Sequence, residues 1–146
     1  LFLPKDWNHV TYYGIGPYES YIDKCHAGSH GVYTSNAQNM HEDYIYPQEN
    51  GSHVDCDFIT IGTTTETLTA VSVNPFSFNV SPYTQEELTI KKHNFELIPS
   101  DSTILCLDYA QNGIGSNSCG PVLLDKYALN KEIFHFGLDL KFNRGI

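Results

Sequence analysis

Three kinds of feature are scarce in this sequence, and each absence excludes a class of protein. No apolar run reaches the length of about 18 residues that a membrane-spanning helix needs, so we expect a soluble chain with no membrane partner. The first residues also lack the basic and apolar segments of a signal peptide. Basic residues are few: 8 Lys and Arg stand against 17 Asp and Glu, and the net charge of −9 repels polyanions. We therefore expect no nucleic-acid partner.

Closely spaced cysteine pairs are also missing. The cysteines are Cys25, Cys56, Cys106 and Cys119, and none forms the C-x-x-C pair of many zinc sites. A chain of 146 residues can build its core without disulfides, and nothing marks it as secreted, so we expect reduced thiols. The chain opens on an apolar tripeptide without an initiator methionine, so we expect a piece of a longer protein.

The sequence is rich in aromatic residues and in period-two alternation, and both favour β-strands. It contains 10 Tyr and 8 Phe, which suit pleated and half-buried surfaces. Residues 75–82 are predicted to form a strand that buries one face and exposes the other to solvent. The buried face would hold Phe76, Phe78 and Val80, and the solvated face Ser77, Asn79 and Ser81. The same alternation predicts a strand at residues 133–142, with Phe134, Phe136, Leu138, Leu140 and Phe142 on its apolar face.

Weaker patterns complete an all-β prediction. Strands are predicted at residues 9–13, 54–61, 67–73 and 103–109, and Thr84 and Glu87 form a capping box for one short helix. Residues 14–53 have no clear period, and a region of that kind usually carries recognition or an interface. The pattern favours a single antiparallel β-sandwich domain over residues 1–146, with a closed barrel as the other candidate.

The stretch G-I-G-S-N-S-C-G-P, residues 113–121, must be a bend between ordered elements, because glycine, asparagine and serine favour turns. A P-loop would end in Gly-Lys-Ser/Thr before a helix, and a dinucleotide-binding loop would need a G-x-G-x-x-G spacing inside a βαβ unit. Neither pattern is present. Cys119 could be a nucleophile if a histidine lay beside it, but a small side chain in a rigid turn is the simpler interpretation.

Other candidates for chemistry are weak. His26 and His30 have the spacing of two ligands on one helix face, with His41 nearby in sequence, but Gly28 and Gly31 disfavour a helix there. The carboxylate pairs at residues 42–43 and 86–87 are adjacent in sequence, so their side chains point apart rather than toward one substrate atom. We expect no metal site in this chain.

Four ordered segments carry a family resemblance. They are G-I-G-P-Y-E-S-Y-I-D at residues 14–23, Y-P-Q-E-N-G at 46–51, P-F-S-F and P-Y-T-Q-E-E-L at 75–78 and 82–88, and L-D-Y at 107–109 leading into the glycine-rich stretch. Together they resemble the C-terminal domain, also called domain 5 or the small chain, of glycoside hydrolase family 2 β-galactosidases. The resemblance extends over nearly the whole chain.

The resemblance implies a fold and a function. The family's C-terminal domain is a large twisted β-sandwich related to galactose mutarotase, and the chain corresponds to its second half. The family hydrolyses terminal non-reducing β-D-galactose residues with retention, using two glutamates in a separate TIM barrel. No catalytic residue is expected in this chain, which should be inactive alone. Magnesium and sodium are expected in the whole enzyme, not in this chain.

The resemblance also implies partners and a contact with substrate. The chain would support the barrel domain or large subunit of a cytoplasmic, homo-oligomeric β-galactosidase. Its glycine-rich stretch would line the galactoside site, where some members place a tryptophan and this chain has Cys119; the substrate-binding residues would be Asn117, Ser118 and Cys119. Two other functions stay open: an independent carbohydrate-binding module, and a structural domain for subunit contacts.

Overall fold

The computed structural model describes residues 1–115 and 122–145, so the predicted substrate-binding residues Asn117, Ser118 and Cys119 lie outside the described residues. The described chain contains seven strands and one short α-helix, in the order that follows. They are β1 (Phe2–Pro4), β2 (His9–Gly16), β3 (Ser29–Asn36), β4 (His53–Gly62), β5 (Glu66–Ser81), α1 (Gln85–Ile90), β6 (Ser102–Asp108) and β7 (Asp139–Arg144). Three 3-10 turns, at Ala37–Met40, Asn94–Glu96 and Asp125–Tyr127, lie in the connections. No helix among the described residues is long and apolar enough to cross a membrane.

All seven strands join one antiparallel sheet. Its order is β1-β6-β5-β4-β2-β3, and β7 pairs with β5 beside this path. Strand β5 is 16 residues long, and it pairs with β7 along Glu66–Val71 and with β6 along Ser77–Ser81. Besides β4, the long strand β5 therefore pairs first with β7 and then, further along the chain, with β6. With almost no helix, the fold confirms the all-β antiparallel prediction and agrees with a β-sandwich.

The core lies along the neighbouring strands β2, β4 and β5. Its largest fully buried side chains belong to aromatic and branched residues that alternate along these strands: Tyr12, Phe76, Phe78, Ile59, Ile61, Val10 and Val80, with Leu105 from β6. Burial of such side chains is the main stabilising contribution to a fold of this kind. The predicted burial of Phe76, Phe78 and Val80 is confirmed.

The opposite face of the same strand segment was predicted to be solvated, and that prediction is wrong. Ser77, Asn79 and Ser81 are all buried. The segment that precedes β4 covers this face, and the Asn79 Nδ2 donates to the Asn50 carbonyl oxygen at 3.4 Å. Ser81 is satisfied locally, because its Oγ accepts from the Tyr83 amide at 3.0 Å. Short polar side chains with backbone partners can be buried on both faces of a strand.

The last predicted strand is also corrected. It begins at Asp139, not at residue 133, and continues to Arg144. The ladder between β5 and β7 ends at the Val71–Asp139 pair; beyond it, Ser72 Oγ donates to the Gly137 carbonyl oxygen instead. Phe134 and Phe136 consequently lie outside the sheet, with exposed fractions of 51% and 39%. Because backbone pairing with β5 ends at Asp139, the alternating apolar pattern of residues 133–138 does not produce a strand.

The remaining strand predictions are confirmed, although β5 merges the two predicted strands at residues 67–73 and 75–82. The predicted helix is α1, where Thr84 Oγ1 accepts from the Glu87 amide at 3.1 Å. Strand β3 was missed, because the region 14–53 was predicted to be irregular. It pairs with β2 along its full length, from Ser29–Gly16 to Asn36–His9. Residues 17–28 and 37–52 do lack strands, and they carry the site described next.

Candidate functional site

The glycine-rich stretch begins next to a tight turn that follows β2. In this turn Tyr21 and Lys24 exchange two backbone hydrogen bonds, of 3.1 and 2.8 Å, which fix the chain between them. The turn carries two carboxylates, Glu19 before it and Asp23 within it. Each binds backbone amides from a different distant segment, so the turn connects parts of the chain that are far apart in sequence.

Asp23 holds the first residues of the glycine-rich stretch, Gly113–Gly115, which we call the stem. Its Oδ1 accepts a hydrogen bond from the Ile114 amide at 3.0 Å, and its Oδ2 accepts one from the Gly115 amide at 2.8 Å. The Gly113 amide donates to the Tyr127 carbonyl oxygen at 2.9 Å. Three consecutive amides of the stem are therefore bound, two of them by one carboxylate.

The stem needs glycine for two separate reasons. A Cβ atom on Gly113 would lie 2.5 Å from the Asp23 carboxylate carbon, which is closer than real Cβ atoms approach. Gly115 has a φ of +57°, in the left-handed region that other residues adopt at a cost. The glycines that sequence analysis assigned to a bend therefore permit contact with Asp23 and a change of chain direction.

Glu19 joins the same turn to the Y-P-Q-E-N-G segment. It is almost completely buried, and its oxygens accept from Lys24 Nζ at 2.5 Å, from the Gly51 amide at 2.8 Å and from the Tyr44 hydroxyl. Burial raises the pKa of Glu19, but the hydrogen bonds from Lys24, Tyr44 and Gly51 outweigh it, and the net pKa is below the ordinary value. The carboxylate is therefore ionised at neutral pH and serves as an internal acceptor.

A third carboxylate, Glu49, extends the network to β5 and β6. Gln111 Nε2 donates to Glu49 Oε1 and to Asp108 Oδ2, both at 3.0 Å, and Asn79 Nδ2 lies 3.4 Å from Glu49 Oε1. One residue from each of the four segments that carry the family resemblance, Tyr21, Glu49, Gln85 and Asp108, lines a single cleft together with Ile114 of the stem.

Two open clefts flank the segment that leads into the stem. One, of about 530 Å³, has a lining that is about half polar, and we call it the polar cleft because Glu49, Asp108, Gln111 and Asn112 lie in it, beside Ile114. The other, of about 340 Å³, is more apolar. It is lined among others by Ile15, Ile22, Phe76 and Tyr109. Amide and carboxylate groups of the polar cleft can form hydrogen bonds with a hydroxyl-rich ligand.

The candidate metal ligands do not come together. His30 Nε2 donates to the Asp55 carbonyl oxygen at 2.9 Å, His41 Nδ1 accepts from Asn50 Nδ2 at 3.2 Å, and His26 lies exposed in a loop. Within residues 1–115 and 122–145 there is no group of three His, Cys, Asp or Glu side chains that could hold a metal ion.

The two carboxylates of the pair at residues 86–87 have different environments, and the described cysteines form no disulfide. Glu87 Oε1 accepts from the Ile98 amide at 2.8 Å, whereas Glu86 is exposed. Cys25, Cys56 and Cys106 are free thiols, and Cys56 is buried. Whether Cys119 contacts substrate stays a prediction, as do the roles of Asn117 and Ser118.

In the sequence, Glu19 and Asp23 are two acidic residues of the segment 14–23, and the pattern alone assigns neither of them a role. Their partners lie up to 92 residues away in sequence, so no local pattern shows the contacts. The available signal was their place in the G-x-G-P-x-E-x-Y-x-D run, where two acidic residues four positions apart flank a tyrosine.

Comparisons with known proteins agree with the family resemblance of these segments. A family model described as the β-galactosidase small chain matches residues 1–140. A β-galactosidase of Actinobacillus pleuropneumoniae is 50% identical over 146 residues, which are 100% of this chain and 14% of that protein. One of Staphylococcus xylosus is 43% identical over 142 residues, covering 97% of this chain and 14% of that protein. One of Kluyveromyces lactis is 35% identical over 148 residues, again covering 97% and 14%. The chain thus spans about one seventh of the length of these relatives.

Proposed function

The chain belongs to the β-galactosidase small-chain family, and from that premise we propose that it is the non-catalytic C-terminal domain of a retaining β-galactosidase of glycoside hydrolase family 2. The whole enzyme would hydrolyse terminal non-reducing β-D-galactose residues, as in lactose. The observation that carries this proposal is the 50% identity that spans all of this chain but only 14% of a β-galactosidase. The catalytic glutamates and the expected magnesium and sodium ions would belong to the remaining six sevenths.

Within that enzyme, the domain would have two tasks. It would pack as one sandwich domain against the TIM barrel or large subunit of a cytoplasmic homo-oligomer, and it would lend its glycine-rich stretch to the galactoside site. Asn117, Ser118 and Cys119 would line the site beside the sugar, with no part in proton transfer. The binding of three consecutive stem amides supports the second task, because a segment that contacts a ligand must be held in place.

Many large apolar side chains of the described surface support the first task. Ile45, Val73, Phe95 and Ile133 have exposed fractions of 96%, 97%, 85% and 81%. Isolated exposed apolar residues are common, but this many large ones suit a domain whose surface is covered by the rest of a larger protein. Homo-oligomer contacts could cover part of the same surface.

Substitutions of Cys119 in the complete enzyme test the substrate contact. We expect Cys119→Trp to change KM or kcat for a β-galactoside while assembly is unchanged, because a large ring would take space beside the sugar. Cys119→Ala should have a smaller effect. If all Cys119 variants keep the parent KM and kcat for small and large galactosides, the stretch does not line the site.

The isolated chain tests the assignment as a non-catalytic part. We expect no cleavage of a chromogenic β-galactoside by the purified 146-residue chain. Turnover proportional to its concentration, with contaminating enzyme excluded, would contradict the proposal.

The second candidate function is an independent carbohydrate-binding module. The polar cleft of about 530 Å³, with Gln111 and Asn112 in its lining, favours it. Titration of the isolated chain with galactose and lactose separates the two functions. Saturable binding favours the module, whereas a site wall that needs its barrel should bind neither sugar.

A further inference from the structure

We propose that Asp23 is a positioning residue for the galactoside site, acting through the stem of the glycine-rich stretch. The inference rests on the proposed function, because it assumes that the residues after Gly115 reach the substrate. Asp23 itself would touch neither the sugar nor the catalytic groups. It would set the path on which the chain leaves the sheet toward the site.

The geometry of the contact singles out a carboxylate. Both Asp23 oxygens are used, one on the Ile114 amide and one on the Gly115 amide, at 3.0 and 2.8 Å. Hydrogen bonds to an ionised acceptor are about twice as strong as those between neutral groups. An asparagine could accept from only one of the two amides, and its own N–H₂ group would face the other donor. The pair of bonds therefore needs an acidic residue of this length.

Asp23 is also held firmly enough to act as a reference point. Its turn is closed by the two backbone bonds between Tyr21 and Lys24, and Lys24 is bound in turn by the buried Glu19. A chain segment is positioned by a contact only if the other side of the contact is fixed. Here the fixed side is an internal network and the positioned side is the stem.

The close approach at Gly113 supplies a second, independent observation. A Cβ atom there would lie 2.5, 2.6 and 2.8 Å from the Asp23 carboxylate carbon and its two oxygens. These carboxylate atoms are the nearest neighbours of such an atom, so an alanine at this position would push against Asp23 before anything else. Substitutions at Asp23 and at Gly113 should therefore disturb the same contact from its two sides.

A displaced stem would alter binding more than chemistry. A wall beside the sugar contacts the substrate in the ground state and in the transition state, so its displacement weakens uniform binding and raises KM. An Asp23 variant loses one or both of the hydrogen bonds that hold the stem, so we expect KM for an aryl β-galactoside to rise about tenfold. The value of kcat should fall less than KM rises.

The first test uses the complete enzyme with Asp23→Asn, Asp23→Ala and the matched control Asp101→Asn. Asp101 is fully exposed, and among the described residues its carboxylate pairs with the exposed Lys5 at 3.4 Å, so its variant should behave as the parent. We expect both Asp23 variants to assemble and to melt close to the parent, with a raised KM. Unchanged KM in both would overturn the proposal. So would equal losses of assembly and activity, because these would indicate a purely structural residue.

The second test is a double-mutant cycle with Gly113→Ala. On the parent background, Gly113→Ala should raise KM as the Asp23 variants do. On the Asp23→Ala background the carboxylate is gone, so the added methyl group should raise KM little further. Such non-additivity is expected for residues that share one contact. Additive effects of the two substitutions would contradict positioning through the stem.

The kinetics of the Cys119 variants distinguish a failure of the proposed substrate contact from a failure of the proposed role of Asp23. If Cys119→Trp changes the kinetics and Asp23→Asn does not, the stretch reaches the substrate but Asp23 does not position it. If neither changes the kinetics, the proposed contact between this chain and the substrate has failed as well.

Discussion

Lys24 Nζ lies 2.5 Å from Glu19 Oε1, but the two side chains of this ion pair differ sharply in exposure. The Lys24 side chain is 47% exposed and the Glu19 side chain only 2%. Lys24 can reach water without Glu19, whereas the carboxylate depends entirely on protein donors. The turn that carries Asp23 is therefore organised around a buried anion.

Glu19→Gln should loosen the connection between the turn and the segment before β4. The amide has one acceptor oxygen for three donors, from Lys24, Tyr44 and Gly51, so at least one buried donor loses its partner. We expect the free energy of local opening at the Gly51 amide to fall by about 2 kcal/mol. Hydrogen exchange of the complete protein measures it. Glu86→Gln, on the exposed side of α1, is the control and should leave Gly51 unchanged.

The same carboxylate should give an acid-dependent loss of stability. Its pKa in the folded protein lies below the ordinary 4.5, so its contribution is complete above pH 4.5 and is lost as the pH falls through the folded pKa. Lys24→Met removes one of the groups that lower this pKa, so protection of Gly51 should be lost at a higher pH in that variant. If the variant and the parent lose protection at the same pH, the ion pair does not set the pKa.

His53 should contribute a second pH dependence, in a different window. Burial lowers the pKa of His53 to about 4 from 6.5, since the ring is packed against the rings of Tyr12 and Phe78 in the interior. The unfolded chain binds more protons than the folded chain between these values, so stability rises from pH 4 to pH 6.5. It is lost as the pH falls from 6.5 toward 4. The difference corresponds to about 3 kcal/mol.

Replacement of the ring tests this interpretation. His53→Phe keeps an aromatic ring but cannot titrate, so the stability of strand β4 against hydrogen exchange should depend less on pH between 4 and 6.5. It also loses the hydrogen bond from Nδ1 to the Ile15 carbonyl oxygen, at 3.1 Å, and should be less stable at pH 7. His26→Gln, in an exposed loop, is the control for the loss of a histidine outside the core. An unchanged slope in His53→Phe would contradict the assignment.

The stability of helix α1 should depend on its N-cap residue, Thr84. Thr84 Oγ1 caps the Glu87 amide at 3.1 Å, and the helix is only 6 residues long, so few other bonds support it. We expect Thr84→Ala to destabilise the helix by about 1 kcal/mol and Thr84→Ser to be nearly neutral. Hydrogen exchange of peptides that cover residues 85–91 measures both. Equal exchange in the two variants would show that the cap contributes nothing.

The sequence predicts the parts of this fold that depend on neighbouring residues. Period-two alternation identifies β2, β4, β5 and β6, and the Thr84 cap identifies α1, because both signals are local. The prediction fails where a distant partner decides. Residues 133–138 have the alternating pattern of a strand, but the ladder between β5 and β7 ends at Asp139. Asn79 lies on the polar face of its strand, yet residues that precede β4 cover it.

The site is less predictable than the fold for the same reason. The glycines of the stem mark a bend, but the close approach that requires glycine at Gly113 comes from Asp23, which lies 90 residues earlier in the chain. The family resemblance places the segments in order and names Asn117, Ser118 and Cys119 as contacts. It does not show that Glu19 and Asp23 join those segments, which becomes visible only from distances between atoms.

Cys56 should be the least reactive of the described thiols. It is fully buried in the core between β2 and β5, and its Sγ donates to the His53 carbonyl oxygen at 3.5 Å. Burial raises the pKa of Cys56 far above the ordinary value, and the charges of Asp55 and Asp57 raise it further. The thiolate is the reactive form, so both access and ionisation oppose alkylation.

Peptide mapping after iodoacetamide treatment measures this protection. We expect Cys56 in the native complete protein to be alkylated at pH 8 about a hundredfold more slowly than in the same protein unfolded in urea. The unfolded sample is the matched control, because it has the same cysteine in the same sequence. Native alkylation near the unfolded rate would mean that β4 opens readily at Cys56. The pH dependence predicted for its neighbour His53 would then fail as well, since both side chains depend on the same closed strand for their burial.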